Sequence, residues 1–136
     1  MKQLHFMFAI LAIGLCSCAT TSASGTMTID GEEVEFSAEV VSEVDDIEVD
    51  HTLVRHLDGR VTAQFELEND DSSPKRLHIT WDWMDSDSIV LRKGTGESAE
   101  QFVVLASGEK KKITLQSPTD HAVQIDIRVR STRNTL

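Results

Sequence analysis

Carboxylates are the residues of this chain that number and spacing best equip for chemistry. From Asp30 to Asp50 there are ten of them and no Lys or Arg. The densest part is Glu43, Asp45, Asp46, Glu48 and Asp50. Carboxylate oxygens are hard ligands, so several converging on one point can hold Ca²⁺. No stretch has the EF-hand spacing with its central Gly and terminal Glu. Without convergence, the same residues make a solvated face whose charges repel one another. They can also dock a basic partner, including the Arg128, Arg130 and Arg133 tail of a neighbouring copy. Glu43, Asp45, Asp46, Glu48 and Asp50 are therefore the candidate partner surface.

Asp82, Asp85 and Asp87 form a second acidic group, with Asp70 and Asp71 in another turn. Paired carboxylates hydrolyse glycosides when held about 5–9 Å apart across a sugar. Short Asp side chains in turns more often cap backbone N–H groups. Capping is the expectation here, and Asp82, Asp85 and Asp87 are kept as the candidates for a metal. His51, His56, His78 and His121 form no His-x-x-x-His or Glu-x-x-His pair on a helix. Zinc needs three or four ligands in tetrahedral reach. His51 and His56, five apart in an expected strand, should point to opposite faces. There is no Gly-x-Ser-x-Gly elbow, and both Cys fall within the first 18 residues. Gly94-Thr95-Gly96 lacks the spacing of a phosphate loop. No enzyme and no cofactor is expected. A net charge of −10 argues against nucleic acid, whose phosphates call for clustered Lys and Arg. Trp81 and Trp83 share one face of a strand; inward they are core, outward they would be a platform for a glycan or a protein.

The elements that must position these residues are strands. Val61, Ala63, Phe65 and Leu67 alternate with polar residues, as do Leu77, Ile79, Trp81 and Trp83, and Val123, Ile125, Ile127 and Val129. A period of two gives each run one core face and one wet face. Weaker runs flank Asp30-Gly31 and Asp58-Gly59, pairs suited to hairpin turns. Turn residues recur at Asn69–Pro74, Ser107-Gly108 and Ser117-Pro118. About seven strands at this spacing predict an all-β, immunoglobulin-like antiparallel β-sandwich over residues 26–136. At 136 residues the chain is long enough for one such domain.

The other end of the chain is different. Lys2 precedes an uncharged apolar run from Phe6 to Leu15, the size of a signal-peptide core and too short to span a bilayer. Leu15-Cys16-Ser17-Cys18 resembles the bacterial lipobox, with an aliphatic residue three before the modified Cys and a small residue before it. The resemblance implies a signal peptide over 1–17 and lipidation at Cys18. Ala19, rather than Asp, then implies outer-membrane sorting. Residues 18–25, small and polar, read as a lipidated Cys and a flexible tether.

Residues 60–130 resemble the YcfL-like periplasmic lipoproteins of proteobacteria. The likeness rests on Val61–Asn69, on Ile79-Thr80-Trp81-Asp82-Trp83-Met84-Asp85, on the Ala106-Ser107-Gly108-Glu109 turn before Ile113-Thr114-Leu115, and on Val123–Val129. It implies an immunoglobulin-like sandwich facing the periplasm. The expectation is a lipid-anchored, non-enzymatic interaction or accessory module with an envelope protein partner. The alternative is a module binding a divalent cation or a glycan through the acidic turns or Trp81 and Trp83.

Overall fold

Alternation decides the architecture. Val61, Ala63, Phe65 and Leu67 are buried, and so are Leu77, Ile79, Ile125, Ile127 and Val129. A buried side chain of this size contributes about 1.5–3 kcal/mol, so each run fixes which face of its strand turns inward. The computed structural model describes residues 19–91 and 99–132, and among these every regular element is a strand. In chain order they are β1 (Ala19–Ile29), β2 (Glu32–Ser42), β3 (Ile47–Leu57), β4 (Arg60–Asn69), β5 (Lys75–Met84), β6 (Val90–Leu91), β7 (Glu100–Leu105), β8 (Lys110–Gln116) and β9 (Gln124–Ser131). The leader, Cys18, Gly94-Thr95-Gly96 and Arg133 lie outside the described residues.

The strands form two layers. One sheet runs β1-β2-β9-β5, with β6 and β7 both pairing the outer edge of β5; the other is β3-β4-β8. The core lies between them. The sandwich expectation holds, with nine strands in place of about seven. Every pairing is antiparallel except β2 with β9, which run parallel from Ser37↔Gln124 to Ser42↔Val129. These two strands are joined through the rest of the chain, not by a hairpin, so no tight turn dictates their direction.

Local chemistry sets the turns. Asp30 and Gly31 have φ of 50° and 82°, and Asp58 and Gly59 have 51° and 76°. Two positive φ values in a two-residue loop are the mirror-image turn that matches strand twist, which Asp-Gly tolerates. Ile29↔Glu32 and Leu57↔Arg60 close the two hairpins. In β3 the register shifts between Asp50 and Leu53, and His51 takes φ 53° in the bulge. The bulge breaks the two-residue count, so alternation does not carry from His51 to His56.

The expected tether is corrected by the structure. Ala19–Gly25 belong to β1, which pairs with β2 from Ala19↔Ser42 to Ile29↔Glu32. Small polar residues suit a linker, yet here they alternate between half-buried Thr21, Ala23 and Gly25 and exposed Thr20, Ser22 and Ser24. Thr21 Oγ1 lies 2.8 Å from Thr52 Oγ1, tying β1 to β3 across the sandwich edge. Gly25 faces Phe36, whose ring lies across its α-carbon.

The corner at Asn69 joins the two sheets. Its side chain is fully buried, and Nδ2 donates to Ser73 O at 3.0 Å, Leu105 O at 3.1 Å and Ala106 O at 3.2 Å. Two amide hydrogens serve three carbonyls, so one is shared. Oδ1 accepts from Asp71 N at 3.0 Å. The Asn69 backbone donates to Glu109 O and accepts from Gly108 N. Gly108 has φ 73°, which is why the tight passage from β7 to β8 carries glycine.

Gly25 supplies a direct check of the β1–β2 seam. A Cβ there would stand 2.7 Å from Phe36 Cζ and 2.9 Å from Cε2. Gly25→Val should lower stability by about 1–3 kcal/mol through overpacking. The neighbouring exposed Ser24→Val should shift it by less than about 0.5 kcal/mol. Urea unfolding of both variants reads the difference, and equal midpoints would refute the packed seam.

Candidate interaction surface

The acidic run does not fold into one patch. Glu43, just past β2, is engaged by β9: Arg130 Nε donates to Oε2 at 3.0 Å and Arg128 Nη1 lies 3.7 Å from Oε1. Asp45 and Asp46 are exposed in the β2–β3 turn, where Asp46 O accepts from Asp70 N. Glu48 and Asp50 project from the outer face of β3. They stand opposite Glu68 and Glu66 on β4, which in turn face Lys110 and Lys112 on β8. The outer face of the small sheet thus carries two rows of acid, acid and base. Lys110 Nζ comes within 3.6 Å of Glu68 Oε2.

Glu48, Asp50 and Glu68 bring carboxylate oxygens within 4.8 Å of one another. Sequence order points to Glu48 and Asp50 but not to Glu68, which joins them through the β3–β4 register. Crowding raises the Glu48 carboxyl above its ordinary value, chiefly through Asp70, with Asp50 and Glu68 adding to it. Lys75 does the opposite for Asp71. Its ammonium, 3.0 Å away, holds the Asp71 carboxyl below its ordinary value, and Asp71 holds Lys75 above its own.

The second acidic group is dispersed. Asp85 Oδ1 accepts from Asp87 N at 2.9 Å and Ile89 N at 3.0 Å, so this carboxylate shapes the turn after β5. Asp82 faces outward opposite Asp126, and Asp87 is exposed in the turn. Asp82, Asp85 and Asp87 do not form a three-carboxylate group among the described residues. The two Trp turn inward: Trp83 is buried and Trp81, half-buried, packs against the core. That position leaves no paired aromatic platform for a glycan.

The outer rim of the large sheet carries a feature that alternation alone does not reveal. On β7, Phe102 and Val104 are 64% and 59% exposed, while Val103 and Leu105 turn into the core. Among the described residues β7 pairs with β5 on one side only, so this is an edge strand with apolar side chains on both faces. His78, opposite Phe102, stacks on its ring with centroids 4.4 Å apart and planes 4° off parallel. His78 Nε2 lies 2.7 Å from Glu100 Oε2. Arg76 stands opposite Val104. On the small sheet the β3 bulge opens a recess of about 310 Å³ lined by His51, Leu53, Gln64, Phe65, Glu66 and Lys112.

The titration signs give a test. A folded-state carboxyl above its unfolded value costs stability once ionised, so the Glu48 penalty grows as pH rises from the ordinary carboxylate range through the raised value. Asp71 works in reverse: its contribution is present above the ordinary value and lost as pH falls through the lowered one. Glu48→Gln should therefore stabilise the protein more at pH 7 than at pH 4. Asp71→Asn should destabilise it more at pH 7 than at pH 3. Urea midpoints across that range check both signs, and a Glu48→Gln gain independent of pH would contradict the first.

Comparison with known proteins gives a family and no activity. A crystal structure of a DUF1425 family member from Shewanella sp. pv-4 superposes with a TM-score of 0.57 at 13% identity, covering 83% of this chain and 93% of that one. Campylobacter jejuni cj0090 gives a TM-score of 0.49 at 20% identity over 62% of this chain and 85% of that one. No curated protein matches. The first likeness supports the fold. The family model described as "Protein of unknown function (DUF1425)" matches residues 32–131, from the start of β2 to the end of β9, and the chain belongs to that family.

Proposed function

We propose that this protein is a lipoprotein of the bacterial envelope, acylated at Cys18, whose β-sandwich faces the periplasm as a non-enzymatic interaction module. The observation that carries the reading is the lipobox spacing of Leu15-Cys16-Ser17-Cys18 at the end of an uncharged apolar leader. Cleavage before Cys18 would keep every described residue of the sandwich, β1 from Ala19 included. Ala19 after the Cys fits sorting to the outer membrane. The YcfL-like resemblance of residues 60–130 lies inside the family match and agrees with this location.

The contact surface that best suits such a module is the β7 edge. An open strand edge offers a row of backbone donors and acceptors to a strand from a partner, and exposed apolar side chains add affinity. Phe102 and Val104 supply those side chains, and His78 holds the Phe102 ring against the sheet. The acidic residues Glu43, Asp45, Asp46, Glu48 and Asp50 are divided among three places: Glu43 is paired with β9, Asp45 and Asp46 are exposed in the β2–β3 turn, and Glu48 and Asp50 lie on the small-sheet face.

Photocrosslinking in the native envelope tests the module. With benzoylphenylalanine in place of Phe102, a discrete adduct is expected, and Thr114 on the opposite outer face should give none. Palmitate incorporation should be lost in Cys18→Ser. No adduct at 102, or full labelling of Cys18→Ser, would count against the corresponding half of the proposal.

A further inference from the structure

We propose that the β7 edge takes a second copy of the same strand, so that two chains pair β7 to β7, antiparallel, about a two-fold axis at Phe102. The pairing deepens the reading of this edge as the contact surface and rests on it. Other strand edges are defended: β8 carries Lys110, Lys111 and Lys112 in a row, and β1 is tied to β3 through Thr21 and Thr52. β7 has no Lys and no Pro, the residues that keep an edge single, and its one charge is Glu100.

The hydrogen-bond phase of the ladder fixes which backbone groups are open. Trp81 N donates to Ala99 O, and bonding alternates along an antiparallel pair, so 99, 101, 103 and 105 turn their N–H and C=O toward β5. Thr132 N donates to Arg76 O, which agrees: the alternate residues of β5 turn to β9. Glu100, Phe102 and Val104 therefore direct their backbone groups out of the sheet edge, and their side chains are exposed on its outer face. A two-fold at Phe102 sets Phe102 against the partner's Phe102 and Glu100 against the partner's Val104, each a hydrogen-bonded pair. Sliding the register toward Ala106 would waste a pair, because Ala106 N already donates to Glu109 Oε2 and Ala106 O accepts from Asn69 Nδ2.

Two features commit this edge to its own copy. The first is the aromatic stack. His78 covers one face of the Phe102 ring, with centroids 4.4 Å apart and planes 4° off parallel. His78 stands on β5, so the other face of the ring looks toward the open side, where an added strand would lie about 4.8 Å away. The partner's Phe102 in that place continues the stack from His78 through both Phe rings to the partner's His78. The second feature is charge. Along the outer face the edge is acidic at Glu100, apolar at Phe102 and Val104, and basic at Arg76 behind Val104. Antiparallel pairing reverses that order in the partner. Each Glu100 then meets the partner's Arg76 across the short Val104 side chain, over two strand spacings of about 9.6 Å in all, which an extended Glu and Arg close. Arg76 has no carboxylate within pairing distance among the described residues, and Glu100 uses Oε2 for His78, leaving Oε1 for the partner. One patch serves both chains, the isologous contact of a closed dimer.

The test puts benzoylphenylalanine at residue 102 of the full chain in its native envelope and identifies the adduct by mass spectrometry. A dimer of this chain is the expected product. In that background Glu100→Arg or Arg76→Glu, each first shown to unfold at the wild-type urea midpoint, sets like charges together at both ends of the pair and should cut the dimer yield several-fold. Combining the two restores opposite charges and should restore the yield. An adduct with a different protein would overturn the second copy and leave the edge as a contact surface. No adduct would overturn both. Single charge changes without effect, or a double variant no better than the singles, would overturn the proposed register and the charge match behind it.

Discussion

One buried amide holds the two sheets in a single geometry. Asn69 ends β4 in the small sheet, and its side chain reaches the carbonyls that end β7 in the large one. A buried polar group left without partners costs about 1–3 kcal/mol, so the site works only when all its bonds are made. Here they are: three carbonyls on Nδ2, the Asp71 amide on Oδ1, and both backbone groups bound to the 108–109 turn. Around it, Ser107 Oγ donates to Asp71 O and Glu109 Oε2 accepts from Ala106 N. A second lock stands toward the other end of β4. Ser117 Oγ accepts from Val61 N and donates to Thr119 O, fixing the exit from β8.

The corner has consequences for the surface. It fixes the end of β7 at Leu105 and therefore the pose of Val104 and Phe102, one and three residues back along the same strand. Their inward neighbours Val103 and Leu105 are buried, so the outward pair cannot rotate inward without unpacking the core. The edge is thus a rigid apolar ridge. It is flanked by the His78–Glu100 contact and by Arg76, and the acidic rows lie on the opposite sheet. Apolar ridge and acidic face thus lie on different sheets of one small sandwich.

Much of this was legible from residues. The runs at 61–67, 77–83 and 123–129 declare strands and their inner faces, and Asp30-Gly31 and Asp58-Gly59 declare hairpins because Asp-Gly accepts two positive φ values. Asn69 was legible as the start of a turn, but not as a lock, since its partners lie 36 and 37 residues away. β1 was hidden because Ser, Thr, Ala and Gly read alike in a linker and in a strand beside a waiting edge. The bulge at His51 defeated parity counting. Glu68 joined Glu48 and Asp50, and His78 met Phe102, only through cross-strand register, which a single sequence does not print. The leader is the reverse case: its spacing is plain in the sequence, and it lies outside the described residues.

Asn69→Asp is the most direct measurement of the claim that this corner organises the fold. The substitution keeps the shape, removes both amide donors and sets a carboxylate against the Leu105 and Ala106 carbonyls. Urea unfolding at pH 7 should show a loss of about 3 kcal/mol or more, since a buried charge without a partner is among the costliest changes a core can suffer. The loss should shrink at low pH, where a protonated carboxyl recovers one donor. A variant within about 1 kcal/mol of wild type would contradict the account.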